Sequence, residues 1–243
     1  MQRNTLFLGL SAILAVLAGQ SILKAASPYY PVRDFRTDQI SYYTQGEKVS
    51  LFADDNLDQW TNAKGDPVGN GWVLKDGILS RTKSSGDIIT KKEYEYFVFE
   101  FDWKIGPKGN SGVKYRVKKI GNSYLGCEYQ LLDDLQSGER NLTASLYDIY
   151  APNGNKPLKP LGEYNHTKIV VLGDRIEHWL NGERVLLVYS GTPDWKAHVA
   201  KSKFNEIDGF GENATGKLLI QDHGDEVHLK NMTVQEYIPV GTK

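Results

Sequence analysis

The chain carries a single cysteine, Cys127, and only two methionines in 243 residues. One thiol excludes any intramolecular disulfide, so the fold has to be held by its apolar core, and Cys127 itself is expected to be a small buried hydrophobe. Its distance from the N-terminus also excludes a lipid-modified N-terminal cysteine. The five histidines are scattered singly, none paired at ligand spacing, so no zinc motif is present and no cofactor is required by motif. A surplus of positive charge is missing as well: 29 Lys and Arg face 30 Asp and Glu, which excludes nucleic acid and anionic membrane surfaces as partners. No window outside the N-terminus shows an apolar stripe at helical spacing, and there is no repeat or low-complexity tract.

The N-terminus is the one long apolar run. Arg3 precedes Leu6 to Gly19, a stretch too short for a comfortable membrane span and suited to the hydrophobic region of a secretory signal, with Ala25, Ala26 and Ser27 offering a cleavage point. Residues 1–26 are therefore expected to be a signal peptide, and the protein exported; an uncleaved N-terminal anchor is the alternative and the sole expected membrane contact. Loss of Arg3 and Lys24 leaves 29 − 2 = 27 basic against 30 acidic residues, a net charge of −3. Residues 27–48 are polar, tyrosine-rich and unpatterned, and are expected to be a leader or linker before a domain spanning 49–238.

That domain reads as all-β. Phe97, Phe99, Phe101, Trp103 and Ile105 alternate with Val98, Glu100, Asp102 and Lys104, the signature of a strand with one buried face. Asp76-Gly77 between Trp72–Leu74 and Ile78–Ser80 predicts a hairpin, as does Asn181-Gly182 further on, and Gly173-Asp174 makes another turn. Further strands are expected over 113–117, 125–132, 167–172, 175–180, 185–189, 217–221 and 227–236, with short helical turns near 91–95 and 194–201. Many short strands at this spacing indicate a sandwich or jelly roll.

The segment Gly126-Cys127-Glu128-Tyr129-Gln130-Leu131-Leu132-Asp133-Asp134 is the most informative one. Alternation along a strand sends Glu128 and Gln130 to one face and Cys127, Tyr129 and Leu131 to the other, so a carboxylate and an amide share a surface. That surface is either plain solvated sheet or the lining of a groove.

Six stretches in order, Leu51-Phe52-Ala53-Asp54-Asp55-Asn56-Leu57-Asp58-Gln59-Trp60, Trp72 to Gly77, Gly109 to Val113, Glu128 to Asp133, Trp179 to Gly182 and Leu219 to Gly224, resemble the landmarks of the 3-keto-disaccharide hydrolase family, formerly a domain of unknown function in exported bacterial proteins. The resemblance covers residues 49 to 237. It implies a concanavalin-A-like lectin/glucanase jelly roll of two curved antiparallel sheets, a small carbohydrate substrate, and a periplasmic or secreted location. The chain departs from the family pattern at Tyr164, where tryptophan is usual, and at Thr143-Ala144-Ser145.

Ordinary glycoside hydrolysis needs two carboxyl groups about 5 to 9 Å apart. Here Gln130 stands where the second acid of such a strand is expected. A 3-keto sugar needs less: its carbonyl acidifies the C2 hydrogen, so one base, one stabiliser of the enolate oxygen and one proton donor suffice. Glu128 or Asp133 is the candidate base, His223 the proton shuttle, and Arg116 or Lys159 the holder of the enolate oxygen. Asn110, Ser111, Gln130, Tyr147, Gln221 and Asp222 are the further candidate substrate contacts, and Arg116 and His223 are expected to reach the same groove as Glu128. Tyr124, Tyr147, Tyr150 and Tyr164 offer flat faces to a pyranose ring.

Each of these residues has a plainer role open to it. His223 beside Gly224-Asp225 caps a hairpin turn, Arg116 and Lys159 are solvated charges, and Asn110-Ser111-Gly112 is a tight turn. The carboxylates around Asp133, Asp134 and Asp222 are the candidates for a structural calcium, and the sequons at Asn141, Asn165, Asn213 and Asn231 matter only in a eukaryotic secretory pathway. Three functions stand: a 3-keto-glycoside-cleaving enzyme, a non-catalytic carbohydrate-binding jelly roll, and a two-carboxylate glycosidase.

Overall fold

The computed structural model describes residues 30–34, 39–136 and 141–240, so the expected signal peptide over 1–26 lies outside it. In chain order its elements are β1 (Tyr30–Asp34), β2 (Gln39–Ser50), β3 (Trp60–Asn62), β4 (Trp72–Lys75), β5 (Ile78–Arg81), β6 (Ile88–Thr90), β7 (Phe97–Ile105), β8 (Asn110–Ile120), β9 (Ser123–Leu132), β10 (Asn165–Leu172), β11 (Arg175–Leu180), β12 (Glu183–Tyr189), α1 (Pro193–Val199), β13 (Lys217–Ile220) and β14 (Val227–Pro239). They form an all-β jelly roll of two antiparallel sheets. The larger runs β1-β2-β14-β7-β10-β11-β12, with the β4–β5 hairpin joined through β5 to β14; the smaller runs β3-β6-β13-β8-β9.

The alternation of β7 fixes the sandwich. Phe97, Phe99, Phe101, Trp103 and Ile105 are buried against Val113 and Tyr115 of β8, Cys127, Tyr129 and Leu131 of β9, and Leu218 and Ile220 of β13. Each such side chain withdrawn from water stabilises the fold by about 1.5–3 kcal/mol. Phe101 and Tyr129 meet edge to face across the two sheets, with centroids 6.3 Å apart. The Asp76-Gly77 and Asn181-Gly182 turns form as expected, Asp76, Gly77, Asn181 and Gly182 all having positive φ.

Three expectations are corrected. Residues 39–48 are not a loose linker: β2 pairs with β14, and Tyr43 helps cover Val98, Val170 and Leu172 on the outer face of the larger sheet. Most of β2 is solvent-exposed, and that explains its unpatterned composition. Residues 91–95 hold no helix; Tyr94 bridges Gly216 instead, placing its ring in the core. The Gly224-Asp225 segment is not a hairpin, because β13 lies in the smaller sheet and β14 in the larger, so residues 221–226 cross between sheets. The helix expected at 194–201 is α1, ending two residues earlier and capped by Thr192, whose hydroxyl accepts from the Trp195 N–H.

Candidate active site

The outer face of the smaller sheet is built by register. Gly112 of β8 lies opposite Gln130 of β9, and Lys114 opposite Glu128; on the other side of β8, Leu219 of β13 lies opposite Lys114, and the Gln221 N–H donates to the Gly112 carbonyl. A carboxylate, a lysine and two amides from three strands thus share one surface. Around them lies a pocket of about 100 Å³. Its walls include Asn110, Lys114, Glu128, Gln130, Tyr147, Gln221 and His223, together with Lys203 and Phe204 from the segment after α1.

Gly112 makes the room. A Cβ at that position would run into the Glu128 carboxylate, so only glycine lets that side chain lie back over β8. Glu128 is 6% exposed and accepts no side-chain hydrogen bond from any described residue; its nearest partner is the Lys114 ammonium at 3.7 Å. Burial, the largest influence, raises its pKa above the usual carboxylate range; Lys114, Lys203 and His223 oppose that rise and Asp87 adds to it. A desolvated carboxylate with its lone pairs free is a strong base once ionised. The Lys114 ammonium makes no hydrogen bond to a described residue either, leaving its N–H donors for a ligand.

A chain of side-chain contacts closes the other end. Gln130 Nε2 donates to Asn110 Oδ1 at 2.7 Å, and the Asn110 amide nitrogen lies 3.4 Å from His223 Nε2. Gln130 is 2% exposed, yet its Oε1 has no partner among the described residues. An unpaired buried carbonyl costs about 1–3 kcal/mol, and a donor from a bound ligand would remove that cost. Tyr147 is set in place by its backbone, whose N–H donates to the Glu128 carbonyl, and Lys203 stacks over its ring at 4.2 Å.

Other expected site residues lie elsewhere. Arg116 does not face the pocket. Its φ of +52° marks a bulge between β8 and β9, which turns the guanidinium inward to Ser190 Oγ, the Gly211 carbonyl and the Gly173 carbonyl. Asp133 follows the end of β9 and accepts from the Lys108 and Leu135 N–H groups, while Lys159 donates to the Tyr164 carbonyl; both line a separate, mainly apolar hollow. Ser111 points to the core side and donates to the Gln221 carbonyl.

Asp222 is held by Arg81 and by the Ser85 and Gly86 N–H groups. Burial alone would raise its pKa, but the Ser85 N–H, Arg81 and the Gly86 N–H outweigh it and lower the value. Asp134 pairs with Lys156 and accepts from the Thr143 N–H. The three carboxylates expected to hold calcium are thus taken up by separate protein donors, and no cluster of three or more metal-ligating side chains occurs among the described residues. Tyr124 packs beside Ile89, Val117 and Leu219, Tyr150 stacks on His198, and Tyr164 lies under Lys104 and Lys230 on the other sheet.

Sequence reasoning missed Lys114, Lys203 and Asp87. Lys114 carried a signal, the alternation placing it with Asn110 and Gly112, but its partner strand was unknown. Asp87 immediately precedes β6 and accepts from the Asp222 N–H at 2.9 Å; burial raises its pKa.

A concave polar pocket on a jelly roll, with a desolvated carboxylate beside a lysine ammonium, has the make-up of an enzyme active site, and the family match that follows makes it that of a carbohydrate-active enzyme. The particular family follows from comparison: residues 47–235 match the model of the 3-keto-alpha-glucoside-1,2-lyase-like domain, and the chain belongs to that family. It is 30% identical over 225 residues to a 3-keto-disaccharide hydrolase of Bacteroides thetaiotaomicron, covering 77% of each chain. Two crystal structures of candidate glycosyl hydrolases from Parabacteroides distasonis are also similar. The first has 32% identity and a TM-score of 0.70 over 77% of this chain and 92% of that one; the second has 26% and 0.63 over 78% and 98%.

Proposed function

We propose that this protein is an exported enzyme that cleaves 3-keto-glycosides by elimination followed by hydration. The observation that carries the reading is the Glu128–Lys114 pair: a buried carboxylate with free lone pairs beside an ammonium with free donors, in one small pocket. Glu128 removes the C2 proton, and the C–H electron pair moves into the C2–C3 bond as the carbonyl oxygen becomes an enolate oxygen, which Lys114 stabilises. The enolate then returns its electrons to re-form the C3 carbonyl and a C1–C2 double bond, expelling the C1 oxygen. That oxygen takes a proton from His223. Water adds at C1 with a proton to C2, so the net change is hydrolysis.

The family description, a 1,2-lyase, and the name of the Bacteroides relative both support cleavage next to C2 of a keto sugar. Lys114 takes the role that the sequence suggested for Arg116 or Lys159. The residue 1–26 pattern supports export. The test is a 3-keto disaccharide deuterated at C2. Elimination predicts a slowed chemical step or loss of deuterium to solvent; neither effect, with chemistry rate-limiting, refutes it. A two-carboxylate displacement is the second reading, favoured by Asp87 on the same side of the sandwich, and it predicts no isotope sensitivity at C2.

A further inference from the structure

A second hollow of about 170 Å³ adjoins the pocket. The two share Leu125 and Gly126 as a common threshold, and the second is walled by Lys118, Ile120, Ile207, Asp208, Phe210 and Asn213. We propose that it is the leaving-group subsite, taking the second sugar ring of a 3-keto disaccharide while the keto ring occupies the pocket around Glu128. This rests on the proposed function and adds to it the position and chemical class of the leaving group.

Three observations carry the assignment. The threshold is in reach: Gly126 is two residues from Glu128 along β9, about 7 Å at strand rise, so a glycosidic bond held at Glu128 places the next ring over Gly126. The polarity of the two hollows differs in the required sense. The base, the ammonium and the histidine stand only in the first, whereas Lys118 in the second is spent on Glu93 and Thr215. The second hollow also suits a sugar. Ile120 and Ile207 offer apolar surface to the C–H face of a ring, while the Asp208 carboxylate and Asn213 Oδ1, which accept from no described residue, face its hydroxyl donors. The Asn213 amide nitrogen is fixed on the Arg116 and Thr215 carbonyls, so the direction of its oxygen is set.

The experiment compares a 3-keto disaccharide with the matching methyl 3-keto-glycoside, in the wild-type protein and in Ile207→Trp and Asp208→Ala variants. The wild type should favour the disaccharide by at least about 10-fold in kcat/KM. Ile207→Trp should fill the hollow and remove that preference by lowering the disaccharide alone; the exposed Asp208→Ala should reduce it several-fold and guards against a misfolded tryptophan variant. Equal losses on both substrates, or no wild-type preference, overturn the subsite. A measurement without chemistry separates this from failure of the elimination reading: methyl glucoside added to methyl-labelled protein should shift the Leu125, Ile120 and Ile207 resonances. Absence of those shifts overturns the subsite even if the keto substrates are cleaved, and their presence without turnover overturns only the proposed reaction.

Discussion

The Lys114 ammonium lies 3.7 Å from the Glu128 carboxylate because β8 and β9 pair with those two residues directly opposite each other. The distance is too long for a hydrogen bond and short enough for a strong field, so each group stays free to meet a ligand while Lys114 favours the ionised form of Glu128.

Glu128→Gln should lower kcat/KM by about 100- to 10,000-fold, the contribution of a positioned general base. The fold should survive and gain stability at neutral pH. Burial raises the Glu128 pKa above its unfolded value, so ionisation opposes folding; the penalty is absent at low pH and appears as pH rises through the folded-state value. The variant's advantage in Tm over wild type should therefore shrink on acidification. A variant with full turnover sinks the assignment of the base.

Lys114→Met should cost about 100- to 1,000-fold in kcat if the ammonium holds the enolate oxygen. Lys114 is also the leading influence that lowers the Glu128 pKa, so the acid limb of the pH–rate profile should move to higher pH in the variant. A drop in rate with an unmoved limb would show that Lys114 acts without touching Glu128.

Arg116→Met is expected to damage stability rather than chemistry. It takes the guanidinium donors away from the Gly173 and Gly211 carbonyls and from Ser190 Oγ, which keeps only its own donation to the Asp174 carbonyl, costing on the order of 3 kcal/mol in urea unfolding. The kcat of the folded fraction should be unchanged; a selective loss of kcat would return Arg116 to the reaction.

His178 is fully buried, with its Nε2 2.9 Å from the Tyr115 hydroxyl and its Nδ1 2.9 Å from the Ala144 carbonyl. Burial lowers its pKa to about 4. The unfolded chain therefore binds this proton first, and stability should fall as pH drops from about 6.5 toward 4. His178→Asn should flatten that part of the Tm–pH curve, though from a lower starting value.

Cys127 should resist alkylation in the native protein. Burial pushes its thiol up to about 12, leaving almost no thiolate at neutral pH, and the side chain is inaccessible. Iodoacetamide labelling should track urea unfolding, and rapid labelling without denaturant would contradict the core position.

The sequence by itself determined the fold class, the alternation of β7, the Asp76-Gly77 and Asn181-Gly182 turns, and the shared face of Glu128 and Gln130, because each depends on residues close together in the chain. It could not show which strands lie beside one another. Lys114 faces Glu128 across the β8–β9 register, Lys203 and Phe204 arrive from a segment some seventy-five residues further on, and Asp87 enters through the strand order β6-β13-β8. Arg116 misled for the same reason. Simple alternation puts it with Lys114 on the open face, and only the bulge, stabilised by acceptors from Gly173, Ser190 and Gly211, turns it into the sandwich. Local pattern decides which face a side chain takes; long-range pairing decides what it meets there, and the site is made of the second kind of contact.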